Sequence, residues 1–184
     1  MIYLASCSPR RADILNKHAI SFKVISPNIP DEAIHWDPSQ SVERNAQSLA
    51  EKKSQSTHLS THWILACDTM VFTKKRVFGK PKNNQEAISY IKVLSRTVHY
   101  VVTGYAFYHV NKPLVSGYEV TTVQFNPVSD NEIQAYVNGH HVCDKAGGYG
   151  IQDIPKSFIK SIHGSIDNVI GLPSEIVIPI IQKL

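Results

Sequence analysis

Cysteine is scarce: Cys7, Cys67 and Cys143 are the only three in 184 residues. They are odd in number, far apart and form no Cys-x-x-Cys pair. That argues against a disulfide framework or a structural zinc site and leaves small buried or half-buried thiols. Long apolar runs are missing too, since no segment approaches the roughly 20 residues a membrane helix needs. The opening Met1-Ile2-Tyr3-Leu4-Ala5 has no basic flank and stops at Ser6, so it reads as a strand rather than a signal peptide. No internal repeat or low-complexity linker is present. These absences point to one domain over residues 1–184, placed in the cytoplasm, with no membrane partner.

Hydrophobic residues make up 42% of the chain and charged ones 18%, the balance of a folded protein rather than a disordered one. The formal charge of +4 mildly favours anionic ligands. The densest basic run, Lys74-Lys75-Arg76, lies between the apolar stretches Met70–Phe72 and Val77–Phe78. It reads as a solvated hairpin tip, and no nucleic-acid partner is expected.

Apolar runs and helical patterns alternate along the chain. Tyr3–Ala5 predicts a strand, and Pro9 to about Lys17 a helix with Ile14 and Leu15 inward. Phe22–Ile25 predicts a second strand, ended by Pro27 and Pro30. A helix with a sparse apolar face follows from Val42 to about Gln55, then Trp63–Phe72 begins as a buried strand, carries one acid and continues apolar. Glu86–Leu94 carries Ala87, Ile88, Ile91 and Leu94 at helical spacing. His99–Val110 and Leu114–Phe125 flank Asn111-Lys112-Pro113 as a long hairpin would. Ser129 and Glu132 form a capping box, so a helix should run to about Asn138 and stop at Gly139. After the Gly-rich loop Ala146–Gly150 come a short strand at Phe158–Ile162 and a last helix from Pro173, which Pro179 should kink. The sum is a single α/β domain with a mixed central sheet.

Four places carry candidate chemistry. In Ser6-Cys7-Ser8-Pro9-Arg10-Arg11, Ser8 suits an N-cap and Pro9 the first helical position. The helix start then offers free N–H groups and a positive dipole end to phosphate, and Arg10 and Arg11 add bidentate guanidiniums. A capped helix with its arginines in water fits those six residues equally well. Asp68, after the apolar Trp63–Cys67, reads as an acid ending a buried strand, and burial is costly unless it is paired or bound to metal. It could act as general base toward water, hold a divalent cation, or cap the turn after the strand. Glu32, Lys53 and Lys80 are each read alone as surface charges, and matter only if they converge on that acid. In Asp144–Gln152 the glycines allow positive φ and close approach to a ligand, though an ordinary tight loop explains them as well. Their spacing matches neither a dinucleotide fingerprint nor a phosphate loop. Gln152 could read a base edge with its amide.

Taken in order, these segments resemble the Maf family of nucleoside-triphosphate pyrophosphatases. The matching stretches are Leu4–Arg11, Asp31-Glu32, Ala50–Lys53, Cys67–Val71, Gly79-Lys80-Pro81, His99–Gly104, Asp144–Gln152 and Gly164–Pro173, which span nearly the whole chain. The resemblance implies an elongated α/β fold similar to the inosine-triphosphate pyrophosphatases, with a cleft between two lobes. It implies attack by water between the α and β phosphates of a nucleoside triphosphate, with magnesium or manganese as cofactor. Asp68 then takes the role of proton acceptor. Ser6, Ser8, Arg11, Lys53 and Lys80 fall where the triphosphate is held, and Glu32, with Asp68, near the metal. Arg10, Thr69 and Gln152 match the branch acting on dTTP and UTP better than the branch acting on 7-methyl-GTP. A non-catalytic regulator of division that binds nucleotide or nucleic acid is a third reading, and a homodimer is compatible with the resemblance. Departures are Cys67, Ser54, Arg96 and Ile166, which remove no proposed catalytic group.

Overall fold

The computed structural model describes residues 1–29, 36–57 and 61–184. Its elements are β1 (Ile2–Ala5), α1 (Pro9–Lys17), β2 (Phe22–Ile25), α2 (Val42–Gln55), β3 (Ile64–Phe72), β4 (Val77–Phe78) and α3 (Asn84–Leu94). They continue with β5 (Val98–Tyr108), β6 (Val115–Phe125), α4 (Asp130–Gly139), β7 (Ile159–His163), α5 (Ile166–Ile170) and α6 (Ser174–Ile181). Side-chain caps hold three of the helix starts, and α3 begins at Asn84, two residues before the expected Glu86. Ser41, Asn83 and Ser129 each accept a hydrogen bond from the backbone three residues on, and Ser129 with Glu132 completes the capping box. Lys74, Lys75 and Arg76 are exposed at the tip joining β3 to β4, as the flanking apolar stretches imply. The short helix α5 was not anticipated. Its signal is Ser165, whose side chain accepts from the Asn168 N–H and starts a turn too short to show a helical period.

The strands form one mixed sheet in the order β2-β1-β3-β5-β6-β7, with β4 also paired to β3. Strand β1 runs parallel to β2 and β3, while β3, β5, β6 and β7 are antiparallel in turn. Side chains alternate between faces along each strand. One face of β3 and β5 presents Ala66, Asp68, Gly104 and Ala106, and α2 lies across it. A Cβ on Gly104 would come within 2.2 Å of the Ala46 carbonyl oxygen, so only glycine admits the helix this close. Ser116 on β6 also donates to Glu51 of α2 at 2.5 Å, which fixes the helix along its length.

The other face carries two separate apolar clusters. Leu65, Cys67 and Phe107 pack with Leu15 of α1 and with Leu172, Val177 and Ile178 around α6. Farther along the same strands, Val71, Val101 and Val123 pack with residues of α3 and α4. Between the clusters on this face lie Thr69 and Thr103, paired across β3 and β5. The two apolar masses are the two lobes, and a polar band divides them.

Candidate functional site

Strand β5 pairs with β3 along its whole length, from Ile64 to Phe72. The opposite edge of β3 is different. There β1 pairs only at Ile64 and Leu65, and β4 only at Val71 and Phe72. Among the described residues, no strand covers the edge from Ala66 to Met70. The sheet has a notch, and Asp68 is at its centre.

This corrects one sequence expectation. Asp68 neither ends its strand nor caps a turn, because β5 continues the ladder past it with Gly104 as its partner. What ends beside Asp68 is β1. The acid therefore lies beyond the carboxyl end of the parallel part of the sheet, where open α/β sheets bind ligands.

From the α2 face, Lys53 reaches Asp68. It lies about two turns beyond Ala46 on the same side of the helix, and its ammonium is 2.6 Å from Asp68 Oδ1. Their side chains are 7% and 15% exposed, so each charge needs the other. Only one carboxylate oxygen is used by this pair, and Oδ2 is available to accept from water or a cation.

From the other face, Arg11 approaches. Its Nη1 donates to Ser6 Oγ at 3.0 Å, its Nη2 to Thr69 Oγ1 at 3.2 Å and its Nε to the Gly171 carbonyl at 2.8 Å. Thr69 shares a hydrogen bond of 3.0 Å with Thr103, which donates to the Asn168 carbonyl at 2.8 Å. Asn168 is itself fully buried and donates to the Val101 carbonyl and Thr121. Arg11 is thus held on three sides. Sequence reasoning missed Thr103, Asn168 and Gly171 as its braces. Only Gly171, with φ of +125°, has a local reason to be glycine.

Asp68 and Thr69 leave β3 from opposite faces, and the notch joins the two sides. The Cys67 thiol, fully buried beside them, is pushed up to about 11 by burial, with Arg11 and Lys53 acting against the shift and Asp68 adding to it. All three charges lie within Coulombic reach of one atom.

Ser8 stands at the N-cap of α1 but makes no side-chain cap, and its own N–H donates to Ser6 Oγ at 3.1 Å. The expected cap is therefore replaced by a loop folded onto Ser6, and the first N–H groups of α1 keep no side-chain partner from Ser8. Lys80 lies across the notch, exposed, just after β4. The Gly147 N–H donates to the carbonyl of Gly79 beside it, at 3.0 Å. Gly147 and Gly148 have φ of +74° and +75°, so this loop needs its glycines. Arg10 spans the opening from α1, with Nη1 2.7 Å from Asp144 Oδ2, and Lys145 is 2.9 Å from Asp144 Oδ1. Partial burial alone would raise the Asp144 carboxyl, but the hydrogen bonds from Arg10 and Lys145 outweigh it and hold it below the usual aspartate value.

The structure brings Ser6, Arg11 and Thr69 into one hydrogen-bonded group and Lys53 and Asp68 into another at the same notch. Gln152 is exposed on the turn after the glycine loop. Glu32 lies outside the described residues. Among those residues, no three His, Cys, Asp or Glu side chains form a metal cluster, and no helix is long and apolar enough to cross a membrane.

The family model described as Maf-like protein matches residues 1–184. The dTTP/UTP pyrophosphatase of Pyrococcus abyssi is 39% identical over 184 residues, covering 99% of this chain and 95% of that protein. The dTTP/UTP pyrophosphatase of Chlorobium phaeovibrioides is 38% identical, covering 100% of this chain and 96% of its own. Among solved structures, a HAM1 protein from Coxiella burnetii is 19% identical over 69% of this chain and 73% of that one, with a TM-score of 0.45.

Proposed function

The chain belongs to the Maf family, and from that premise we propose that it is a nucleoside-triphosphate pyrophosphatase acting on dTTP and UTP. The observation that carries the reading is the Asp68–Lys53 pair set at a gap in the sheet, with Arg11 and Ser6 entering from the other side. A largely enclosed acid is costly to keep for structure alone. Placed among cations that suit a triphosphate, it has a use.

The chemistry follows from these groups. Arg11, Ser6 and the start of α1 bind phosphate oxygens, with Ser8 beside them, and Lys80, just after β4, adds a cation from the far side of the notch. Lys53 fixes one oxygen of Asp68, and the other accepts a proton from the water that attacks the bond between the α and β phosphates. The fixed guanidinium and ammonium groups then offset charge as pyrophosphate leaves. Arg10, Thr69 and Gln152 are proposed to select the base and sugar. Of these, Thr69 is tied to Arg11, so selection and phosphate binding share a residue.

A divalent cation fits the donor set as a partner of the substrate. As the alternative use of that oxygen, Asp68 would hold magnesium or manganese together with Glu32, phosphate oxygens and water, all oxygen donors of the kind these ions take. When bound, it would neutralise phosphate charge and polarise the reacting group. The three described cysteines are free, which suits the proposed cytoplasmic setting.

The test is pyrophosphate release from a panel of triphosphates with magnesium or manganese. Release from dTTP and UTP is expected, with Asp68→Asn lowering kcat by about a thousandfold or more. Wild-type rates in Asp68→Asn would sink the mechanism. Preference for 7-methyl-GTP would move the chain to another branch, and binding without turnover would leave it a regulator.

A further inference from the structure

The contact between Arg10 and Asp144 joins the two lobes across the notch. Arg10 belongs to α1, whose apolar side packs in the cluster with Leu65 and Cys67. Asp144 leads into the glycine loop, which is bonded to Gly79 and packs with Val71 and the α3–α4 cluster. The two residues are 134 positions apart in sequence, and their bond is 2.7 Å long.

We propose that Asp144 is a specificity-positioning residue that sets the guanidinium of Arg10 over the mouth of the site, so that base selection depends on a residue that itself touches no substrate. The inference rests on the proposed pyrophosphatase reading and deepens it. A guanidinium on a long side chain at a helix start has many rotamers, and holding it beforehand saves that entropy at binding. Asp144 engages one Nη only, which leaves the rest of the fork for a ligand. Asp144 is itself fixed. Its other oxygen takes the ammonium of Lys145, whose side chain is 9% exposed, also donates to the His141 carbonyl, and lies 3.6 Å from Asp153. The side of the bond that moves is therefore Arg10. Because the glycine loop also carries Gln152, the same bridge ties two of the three proposed selecting residues into one unit.

The experiment is a double-mutant cycle read by equilibrium binding of the α,β-methylene analogues of dTTP and ATP. The proteins are the unmodified chain, Arg10→Ala, Asp144→Ala and the double variant, with Asp144→Asn as an isosteric control. Asp144→Ala should cut the preference for the dTTP analogue by about tenfold, as Arg10→Ala does, and the double variant should be no worse than either. Asp144→Asn, which can still accept from Arg10, should keep part of the preference. Equal weakening of both analogues would mean a merely structural bridge, and losses that multiply to about a hundredfold would mean independent action; either overturns the proposal. Turnover by the unmodified protein is measured apart. Selective binding that passes the cycle without pyrophosphate release would sink the functional reading alone, and release with a failed cycle would sink this inference alone. An unmodified protein that binds neither analogue would sink both.

Discussion

His99 is fully buried on β5, with Nε2 2.8 Å from the Tyr149 hydroxyl of the glycine loop and its ring edge-on to Phe125. Burial lowers its pKa from 6.5 to about 4, with only the Thr97 backbone acting the other way, and Nδ1 has no partner within hydrogen-bond geometry. The folded value lies below the unfolded one, so the unfolded chain takes up the proton first as pH falls. Stability should be full above about 6.5 and decline toward pH 4, by up to about 3 kcal/mol. Denaturant titrations at stepped pH will show this slope, and His99→Gln should be less stable at pH 7.5 yet flatter through that window. A slope unchanged in the variant would assign it to another group. Lys53 makes a different case. Replacing it with Met leaves Asp68 half-enclosed without its partner, so both pyrophosphate release and stability should fall, the latter by about 3 kcal/mol. Neither pairing could be read from the sequence. His99 looks like one more strand residue, and Lys53 is one of two adjacent lysines on a polar helix.

Helices and strands were legible because their signals are local. Strand β2 and the starts of α1 and α2 fall where the sequence expectation puts them, since Pro9, the Phe22–Ile25 apolar run and the apolar spacing from Val42 each act within a few turns or a strand. How elements meet was not legible, and two glycines show why. Gly104 lets α2 approach β5, which carries Lys53 to Asp68. Gly104→Ala should push the helix away, cost about 2–3 kcal/mol in unfolding free energy and cut activity further than that loss explains. Gly171 combines φ of +125° with a carbonyl that accepts from Arg11, and a Cβ there would crowd Thr69 and Arg11 at 3.2 and 3.3 Å. Gly171→Ala is expected to raise KM for nucleotide several-fold with a smaller change in melting temperature. Unchanged KM would separate this brace from phosphate binding.

At the scale of the whole molecule, the site exists because two lobes share one sheet and, among the described residues, leave one edge of β3 unpaired between them. The apo fold already neutralises Asp68 with Lys53, so a metal should matter to the substrate and not to folding. Adding EDTA should abolish pyrophosphate release while leaving the melting temperature of the nucleotide-free protein unchanged, and a large drop in that temperature would mean a structural ion instead. By itself the sequence determined the alternation of strands and helices, the Ser129–Glu132 capping box, the glycine loop and the residue types suited to a triphosphate, because each depends on neighbours a few positions away. Tertiary structure alone decided that a gap opens in the sheet beside Asp68, that Arg11 comes to it from the opposite face, and that Arg10 closes onto Asp144. Those facts depend on where β1 stops and β4 begins along β3, and strand register is set by packing between distant segments rather than by any stretch of chain.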